Sequence, residues 1–184
     1  MKEKLWIFKD EKISFKNTIS ILILIMVFSG FFGFVYETIF YKLDLGYFTK
    51  RGSSFGPWIP IYAVGSLLIM LISYRFRKNP ATIFVINCVI TGMLEYLTGY
   101  VLYEFMGIRL WDYNVEIWNF GNVNGYICAR SVLFFGISSL FLIYGVVPIM
   151  KKVCTRISEN KLIIASGVLG GLFIMDILIY GILK

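Results

Sequence analysis

Five long apolar stretches constrain this chain more than any other feature of its sequence. Each is close to or above the ~20 residues that an α-helix needs to cross the hydrocarbon core of a bilayer. In chain order they are Ile19–Phe40, Pro57–Tyr74, Ala81–Phe105, Gly125–Met150 and Leu162–Leu183. The composition agrees, because 58% of the residues are hydrophobic and only 16% are charged. The sequence therefore predicts an all-α integral membrane protein, a bundle of five transmembrane helices.

Nothing in the sequence divides the chain into parts. No linker, Pro/Ser-rich tract or low-complexity run interrupts residues 1–184, so we expect a single membrane domain. The first sixteen residues mix acidic with basic side chains and are followed by an apolar run longer than the ~7–15 residues of a signal-peptide core. We therefore expect the first helix to remain in the mature protein.

The basic residues are distributed unevenly between the two ends of the predicted bundle. Twelve Lys and Arg residues lie in the N-terminal tail and in the loops after the second and fourth stretches, against five at the opposite end. The positive-inside rule then predicts a cytoplasmic N-terminus and a C-terminus outside. We attribute the net charge of +7 to this topology. The expected surroundings are the lipid bilayer of the cell membrane, crossed several times, with no nucleic-acid partner.

Five ionisable side chains fall within the apolar stretches: Glu37, Glu95, Glu104, Arg130 and Asp176. A charge at membrane depth costs at least about 2.5–3.5 kcal/mol, so each of these residues is expected to be paired or functional. In the predicted orientation all five lie at the midplane or in the outer half of the membrane. Two interpretations remain open. One is an outward-facing polar site for a solute or protons; the other is an ion pair of Arg130 with Glu37, Glu95 or Asp176 that locks the bundle.

Glycines share helix faces with two of these carboxylates, which predicts that Glu37 and Glu95 point into the bundle. Two more glycines, four residues apart in the fifth stretch, predict a close helix contact there. The glycines concerned are Gly30 and Gly33, Gly92 and Gly99, and, in the fifth stretch, Gly167 and Gly171.

The two loops at the predicted outer end interleave aromatic residues with Asn, Asp, Arg and Gly more densely than an interfacial belt requires. Gly56 and Pro57 lie so close to a helix start that they indicate backbone dipping into the membrane. Such backbone is tolerated where it is buried in protein or lines a wet cavity. We therefore predict that both loops roof a cavity shared by Glu37 and Glu95. The candidate substrate-binding residues are Glu37, Arg51, Trp58, Tyr62, Glu95, Tyr96, Trp111, Asp112, Asn119, Asn124 and Arg130.

The chain also repeats part of its own pattern. Two predicted hairpins each carry a Glu on the outward helix, Glu37 and Glu95, and each returns through a glycine-marked helix start. We interpret this as a degenerate parallel repeat of two helical hairpins plus one extra helix. Repeats around a central site are common in transporters.

Most catalytic motifs are excluded. The chain has no His, which removes His-ligated metals and Ser/His or Cys/His nucleophile pairs. Gly52 to Gly56 matches G-x-S-x-G, but without a His base the glycines are interpreted as turn residues. The three Cys are scattered, and no P-loop motif occurs. We assign no catalytic residue, no metal site and no cofactor, and an enzyme is the less favoured class.

Several short motifs occur in a characteristic order between residues 30 and 150. They are Tyr36-Glu37, Arg51-Gly52, Gly56-Pro57, Pro60-Ile61-Tyr62, Gly65, Glu95-Tyr96-Leu97-Thr98, Trp111-Asp112-Tyr113 and Asn124-Gly125-Tyr126-Ile127-Cys128. This set resembles the bacterial family of ABC-transporter type IV permeases (CmpB-like). The N-terminal tail and the fifth helix, residues 162–183, lie outside the resemblance. It implies a multi-pass permease that works with a separate ATPase.

The favoured hypothesis is a small permease-like protein that binds or translocates a small solute through an outward-facing polar cavity, together with a separate ATPase subunit. One alternative is a non-transporting membrane subunit or scaffold. Another is an intramembrane enzyme that uses Glu37 and Glu95 on a lipid substrate. Assembly into a homo-oligomer is left open.

Overall fold

The computed structural model of the protein describes residues 6–8 and 13–183. Within these residues there is no β-strand, only an isolated bridge between Val123 and Ile127. The helical elements in chain order are a 3-10 turn at Trp6–Phe8, α1 (Phe15–Leu45), α2 (Pro60–Leu68), α3 (Pro80–Met106), α4 (Ala129–Phe141), α5 (Val147–Arg156) and α6 (Glu159–Leu183).

Two of the helices pass through a π turn. The helix α2 continues into a π turn at Ile69–Ser73 and a 3-10 turn at Tyr74–Phe76, and α4 continues through a π turn at Leu142–Val146 into α5. Each π turn therefore lies in the second helix of a helical hairpin. Such turns widen a helix locally and are frequent at functional sites.

Four helices are long and apolar enough to cross a membrane, and a fifth is apolar but shorter. The four are Phe15–Leu45, Pro80–Met106, Ala129–Cys154 and Glu159–Leu183, and the shorter one is Pro60–Phe76. A helix of that length spans about 26 Å, slightly less than the ~30 Å hydrocarbon core. The predicted class, an all-α multi-pass membrane protein, is confirmed with four to five helices that could span a membrane.

Polar caps set the ends of the long helices. The side chain of Ser14 accepts a backbone N–H at the start of α1, and that of Asn79 does the same for α3, with Pro80 as the first helical residue. Gly46 and Gly107 end these helices with φ of 81° and 66°, in the left-handed region that favours glycine. The apolar pattern of the sequence predicts that α1 and α3 start later than they do, because it takes no account of polar residues at the start of a helix.

The connection between α1 and α2, residues 46–59, is called loop 1 here, and it runs back along α1 before α2 begins. Its last residue, Ile59, donates its N–H to the carbonyl of Gly30 at 3.0 Å. Gly30 lies fifteen residues before the end of α1, a depth of roughly 22 Å. Gly56 and Pro57 indicated a backbone that dips into the membrane at this place. The path of loop 1 back along α1 is the reason that α2 is short.

The connection between α3 and α4, residues 107–128, is called loop 2, and it folds over the same end of the bundle. Tyr113 donates its N–H to Gly125 at 3.1 Å, which closes the loop on itself. Ile117 donates its N–H to the carboxylate of Asp44, at the end of α1, at 3.0 Å. We call this end, where both loops lie, the loop end.

The largest apolar core lies at the opposite end. Phe8 packs edge-on against Tyr74 with ring centroids 5.2 Å apart. The 3-10 turn at Trp6–Phe8 therefore contributes to the packing. The most deeply buried members of this core include Ile7, Ile21, Ile25, Met70, Ile83, Val147 and Leu162.

Glycines allow close helix contacts at selected positions. A Cβ added to Gly33 would lie 2.3 Å from the ring of Tyr62, so α1 and α2 approach closely there. In α6 it is Gly170 that packs against α1, and an added Cβ would lie 2.7 Å from Ile23. The predicted contact at Gly167 and Gly171 is wrong, because no described atom lies within 4 Å of a Cβ added at either. A single helical position, about 100° of rotation, separates a covered glycine from an open one.

Candidate functional site

Glu37 and Arg51 form an ion pair beneath the loops. Arg51 Nε lies 3.1 Å from Glu37 Oε2, and each side chain is 18% exposed. The guanidinium also lies over the ring of Tyr41, 3.6 Å from its centroid, and its Nη2 donates to the carbonyl of Leu110 in loop 2 at 3.4 Å. Because α1, loop 1 and loop 2 all contribute, the pair ties both loops to the bundle.

A cavity of about 470 Å³, called the loop-end cavity here, opens beside this pair. It lies between α2 and α3, and Lys50, Arg51 and Arg109 supply basic groups at its loop end. Its deeper walls are apolar and include Val64 and Leu94. The volume is in the ~300–1,000 Å³ range usual for small-molecule sites, which are mostly apolar with a few convergent polar groups.

A second, much smaller space lies on the other side of Glu37. This polar chamber has a volume of about 30 Å³ and shares Glu37 and Trp111 with the loop-end cavity. It has room for one or two waters. Its polar lining consists of Tyr36, Glu37, Tyr41, Tyr62, Tyr113, Glu116, Arg130 and Ser131, together with Trp111.

Arg130 pairs with Glu116 of loop 2 in this chamber. Its Nη2 donates to Glu116 Oε2 at 2.7 Å, and Glu116 Oε1 accepts a bond from the hydroxyl of Tyr41. The guanidinium also lies 3.9 Å from the ring centroid of Phe40. The expectation that Arg130 pairs with Glu37, Glu95 or Asp176 is therefore wrong. Loop 2 folds inward and brings its own carboxylate to the arginine.

Glu95 is buried and accepts a hydrogen bond from the hydroxyl of Tyr113 at 2.5 Å. Burial and the neighbouring Glu95 raise the pKa of the Tyr113 hydroxyl well above its usual value, so it remains a neutral donor. Tyr113 lines the polar chamber, whereas Glu95 does not. The prediction that Glu37 and Glu95 line one shared cavity is therefore wrong for the spaces described here, because Glu37 lines two of them and Glu95 meets the polar chamber only through the hydroxyl of Tyr113.

A third space lies farther from the loop end. This inner cavity of about 40 Å³ shares Tyr62 and Phe135 with the polar chamber. It lies between α1, α2 and α4 and reaches the π turns of both hairpins through Ile69 and Leu142. Its polar groups are the hydroxyls of Ser29, Ser66 and Ser138, together with that of Tyr62.

Trp58 points away from these cavities. Its Nε1 donates to Asp176 of α6 at 2.7 Å, and the same carboxylate accepts the backbone N–H groups of Phe55 and Gly56. Asp176 thereby satisfies three donors of loop 1. The candidate role of Trp58 in binding is therefore replaced by a role in anchoring loop 1.

The remaining candidates hold loop 2 in shape or pack against it. Asp112 accepts from Asn114 and pairs with Arg109 at 3.0 Å. Asn119 donates to the carbonyl of Tyr113 at 2.8 Å, and Asn124 accepts from Arg109 through its carbonyl. Tyr96 packs edge-on against Tyr126. The candidates that line the cavities are Glu37, Arg51, Tyr62, Trp111 and Arg130.

Sequence reasoning missed Glu116 and Tyr41. Glu116 is 6% exposed although it lies in a loop, and Tyr41 lies beyond the end of the first apolar stretch. The composition of loop 2 could have indicated the burial of Glu116. A loop that is rich in aromatic and amide groups and folds over a bundle can bury one of its own carboxylates.

The fold and the cavities define a helical multi-pass membrane protein with a polar network enclosed between its helices. The chain belongs to the family described as "Putative ABC-transporter type IV", whose model matches residues 23–180. The match extends well past Met150, so the last helix, expected to lie outside the resemblance, is part of the family region. No curated protein and no solved structure matches the chain significantly.

Proposed function

We propose that the protein is a permease-like membrane component that binds a small solute in the loop-end cavity and passes it between its two hairpins. The observation that carries the proposal is the row of three spaces. The loop-end cavity, the polar chamber and the inner cavity follow one another and share walls at Glu37 and at Tyr62. Membership of a transporter-type family supports the same function.

Two side-chain groups close this row of cavities. The Glu37–Arg51 pair separates the loop-end cavity from the polar chamber, and Tyr62 separates the chamber from the inner cavity. The polar chamber is too small for anything larger than water, so passage of a solute requires both groups to move. The π turns beside the inner cavity supply helix segments with weakened hydrogen bonding, where such movement is least costly.

The proposal includes an orientation and a partner. The excess of basic residues at the end opposite the loops favours a cytoplasmic N-terminus, so that the loop-end cavity faces outward in the cell membrane. A separate ATPase would supply the energy, since the chain has no P-loop motif. The π turn in the second helix of each hairpin supports the degenerate parallel repeat.

Cysteine accessibility tests the proposed route. In a background with Cys88, Cys128 and Cys154 replaced by Ser, a membrane-impermeant thiol reagent is applied from either side of vesicles. We expect Ser53→Cys, in the loop-end cavity, to react from outside, and Ser138→Cys, in the inner cavity, to be protected. Because the Glu37–Arg51 pair also closes the route, Tyr62→Ala is tested in an Arg51→Ala background, where it should expose Ser138→Cys from outside.

The matched control is Tyr96→Ala, which removes a tyrosine that lies outside the three spaces. It should leave the protection of Ser138→Cys unchanged. If Tyr62→Ala and Tyr96→Ala have the same effect, the spaces do not form a route, and the scaffold alternative is favoured instead.

A further inference from the structure

The loop-end cavity has a chemistry that selects its ligand. We infer that it binds an anionic amphiphile taken from the surrounding lipid leaflet, with the acidic headgroup at Lys50 and Arg51 and an acyl chain between α2 and α3. This inference rests on the proposed role of the cavity as a binding site and specifies the class of ligand.

The walls of the cavity favour an acyl chain. Away from the loops they are built from the aliphatic side chains Ile61, Val64, Leu94, Leu102, Ile108 and Leu110. Thr98 is the one hydroxyl that α3 adds to these walls. A fully polar solute would lose its hydration against these side chains without gaining hydrogen bonds, whereas an acyl chain that leaves the bilayer exchanges one apolar environment for another.

The cavity ends where α2 and α3 approach each other. Near Gly65 the two helices come close, because a Cβ added there would lie 3.8 Å from Leu94 Cδ2. The cavity lies between α2 and α3 on the loop side of this contact, where Ile61 and Val64 face Thr98 and Leu102. A slot that is closed at the bottom and flanked by two helices suits an elongated chain better than a compact solute.

The upper part of the slot exposes large apolar side chains. Val64 is 47% exposed on α2, and Ile108 and Leu110 are 43% and 39% exposed just beyond the end of α3. All three side chains line the slot, so this exposed apolar surface lies within the slot and at its mouth. The inferred path of a lipid into the slot is sideways through this mouth, without leaving its leaflet.

The loop end of the slot favours an anion. Lys50, Arg51 and Arg109 line it against the single carboxylate Glu37, which is engaged by Arg51. Lys50 lies over the rings of Phe55 and Tyr180, 5.5 Å from each centroid, and has no acidic partner within 4 Å among the described residues. Its charge is therefore available to a phosphate or carboxylate headgroup, while Arg51 can share its guanidinium between Glu37 and the ligand.

The experiment uses the full-length protein in a non-ionic detergent, with bound lipid counted by native mass spectrometry. The probes are phosphatidylglycerol, phosphatidylcholine with identical acyl chains, and inorganic phosphate. We expect phosphatidylglycerol to bind about tenfold or more tightly than phosphatidylcholine, since each basic residue near an anionic headgroup contributes roughly fivefold. Inorganic phosphate should neither bind nor compete.

Two variants and their matched controls locate the site. Thr98→Trp fills the slot and should abolish the preference, whereas Leu97→Trp, at a neighbouring position that is 54% exposed, should not. Lys50→Gln should weaken phosphatidylglycerol binding roughly fivefold, whereas Lys42→Gln, a lysine of the same end outside the cavity, should leave it unchanged. Thermal unfolding of each variant verifies that it is folded.

Equal affinity for the two lipids overturns the inference. So does competition by inorganic phosphate, which would indicate a site for free anions, or an equal effect of each variant and its control. The result is independent of the cysteine test. Lipid binding without an accessible route contradicts the proposed permease function alone, and an accessible route without lipid preference contradicts this inference alone.

Discussion

At the scale of single residues, the pair between Arg130 and Glu116 is the most consequential contact in the polar chamber. Both side chains are largely withdrawn from solvent, at 13% and 4% exposure, and Tyr41 binds the same carboxylate. A buried ion pair contributes little net stability compared with apolar packing, but an orphaned member is costly. The pair therefore fixes the position of loop 2 more than it stabilises the bundle.

Replacing Arg130 by Met should lower the free energy of unfolding by about 3–5 kcal/mol, because Glu116 would remain buried without its partner. Adding Glu116→Gln should recover part of this loss. The measurement is a double-mutant cycle of unfolding in detergent. Glu37→Gln serves as the control second change and should give no recovery, because Glu37 is paired with Arg51. Recovery by Glu37→Gln instead would refute the assignment.

Single residues also show which contacts the sequence does not predict. The depth of Arg130 in an apolar stretch was enough to predict that it needs an acidic partner. The identity of that partner depends on how loop 2 folds, and a loop position such as Glu116 carries no sign of burial. Likewise, Asp176 was recognised as a charge within an apolar stretch, but two of its three partners are backbone N–H groups of loop 1, which no side-chain pattern reveals.

At the scale of elements, the two loops are held by different means. Loop 1 is tied to α6 through Asp176, and loop 2 is held by its own turns and by Glu116. The apolar stretches were sufficient to predict the helices, since their lengths and composition leave few alternatives. They place the start of the second helix at Pro57, three residues before Pro60, because the return of loop 1 to Gly30 uses residues that the hydropathy pattern assigns to a helix.

Asp176→Ala should loosen loop 1 selectively. Without the carboxylate, the N–H groups of Phe55 and Gly56 lose their acceptor, and a hydrogen bond contributes about 0.5–1.5 kcal/mol net. Hydrogen exchange of residues 52–59 should accelerate, while that of residues 107–128 stays unchanged. Asp112→Ala, the matched control, should have the reverse pattern, because Asp112 bonds within loop 2. Equal acceleration in both loops would contradict this division.

The contact between α1 and α2 at Gly33 is open to a similar test. Gly33→Ala would place a Cβ inside the ring of Tyr62, and overpacking of this kind costs about 1–3 kcal/mol. Gly167→Ala, which meets no described atom within 4 Å, should instead stabilise α6 by up to ~1 kcal/mol through helix propensity. Unfolding midpoints in detergent measure both. A stabilising Gly33→Ala would show that the two helices do not approach closely there.

At the scale of the whole molecule, both long loops and the loop-end cavity lie at one end, and the apolar core lies at the other. The positive-inside rule predicts that the loop end faces outward. Asn114→Cys in loop 2 should then react with an impermeant thiol reagent from outside, and Ser158→Cys, between α5 and α6, from inside. The opposite pattern would invert the orientation and make the loop-end cavity face the cytoplasm.

The central claim is that α2 and α3 enclose a cavity which the Glu37–Arg51 pair separates from a polar chamber. An experimental structure of the protein in a lipid nanodisc measures this directly. The account predicts α2 and α3 in contact near Gly65 and apart toward the loops, with Arg51 bound to Glu37 and Arg130 bound to Glu116. A structure in which α2 and α3 pack together along their whole length, with Arg51 away from Glu37, would contradict it.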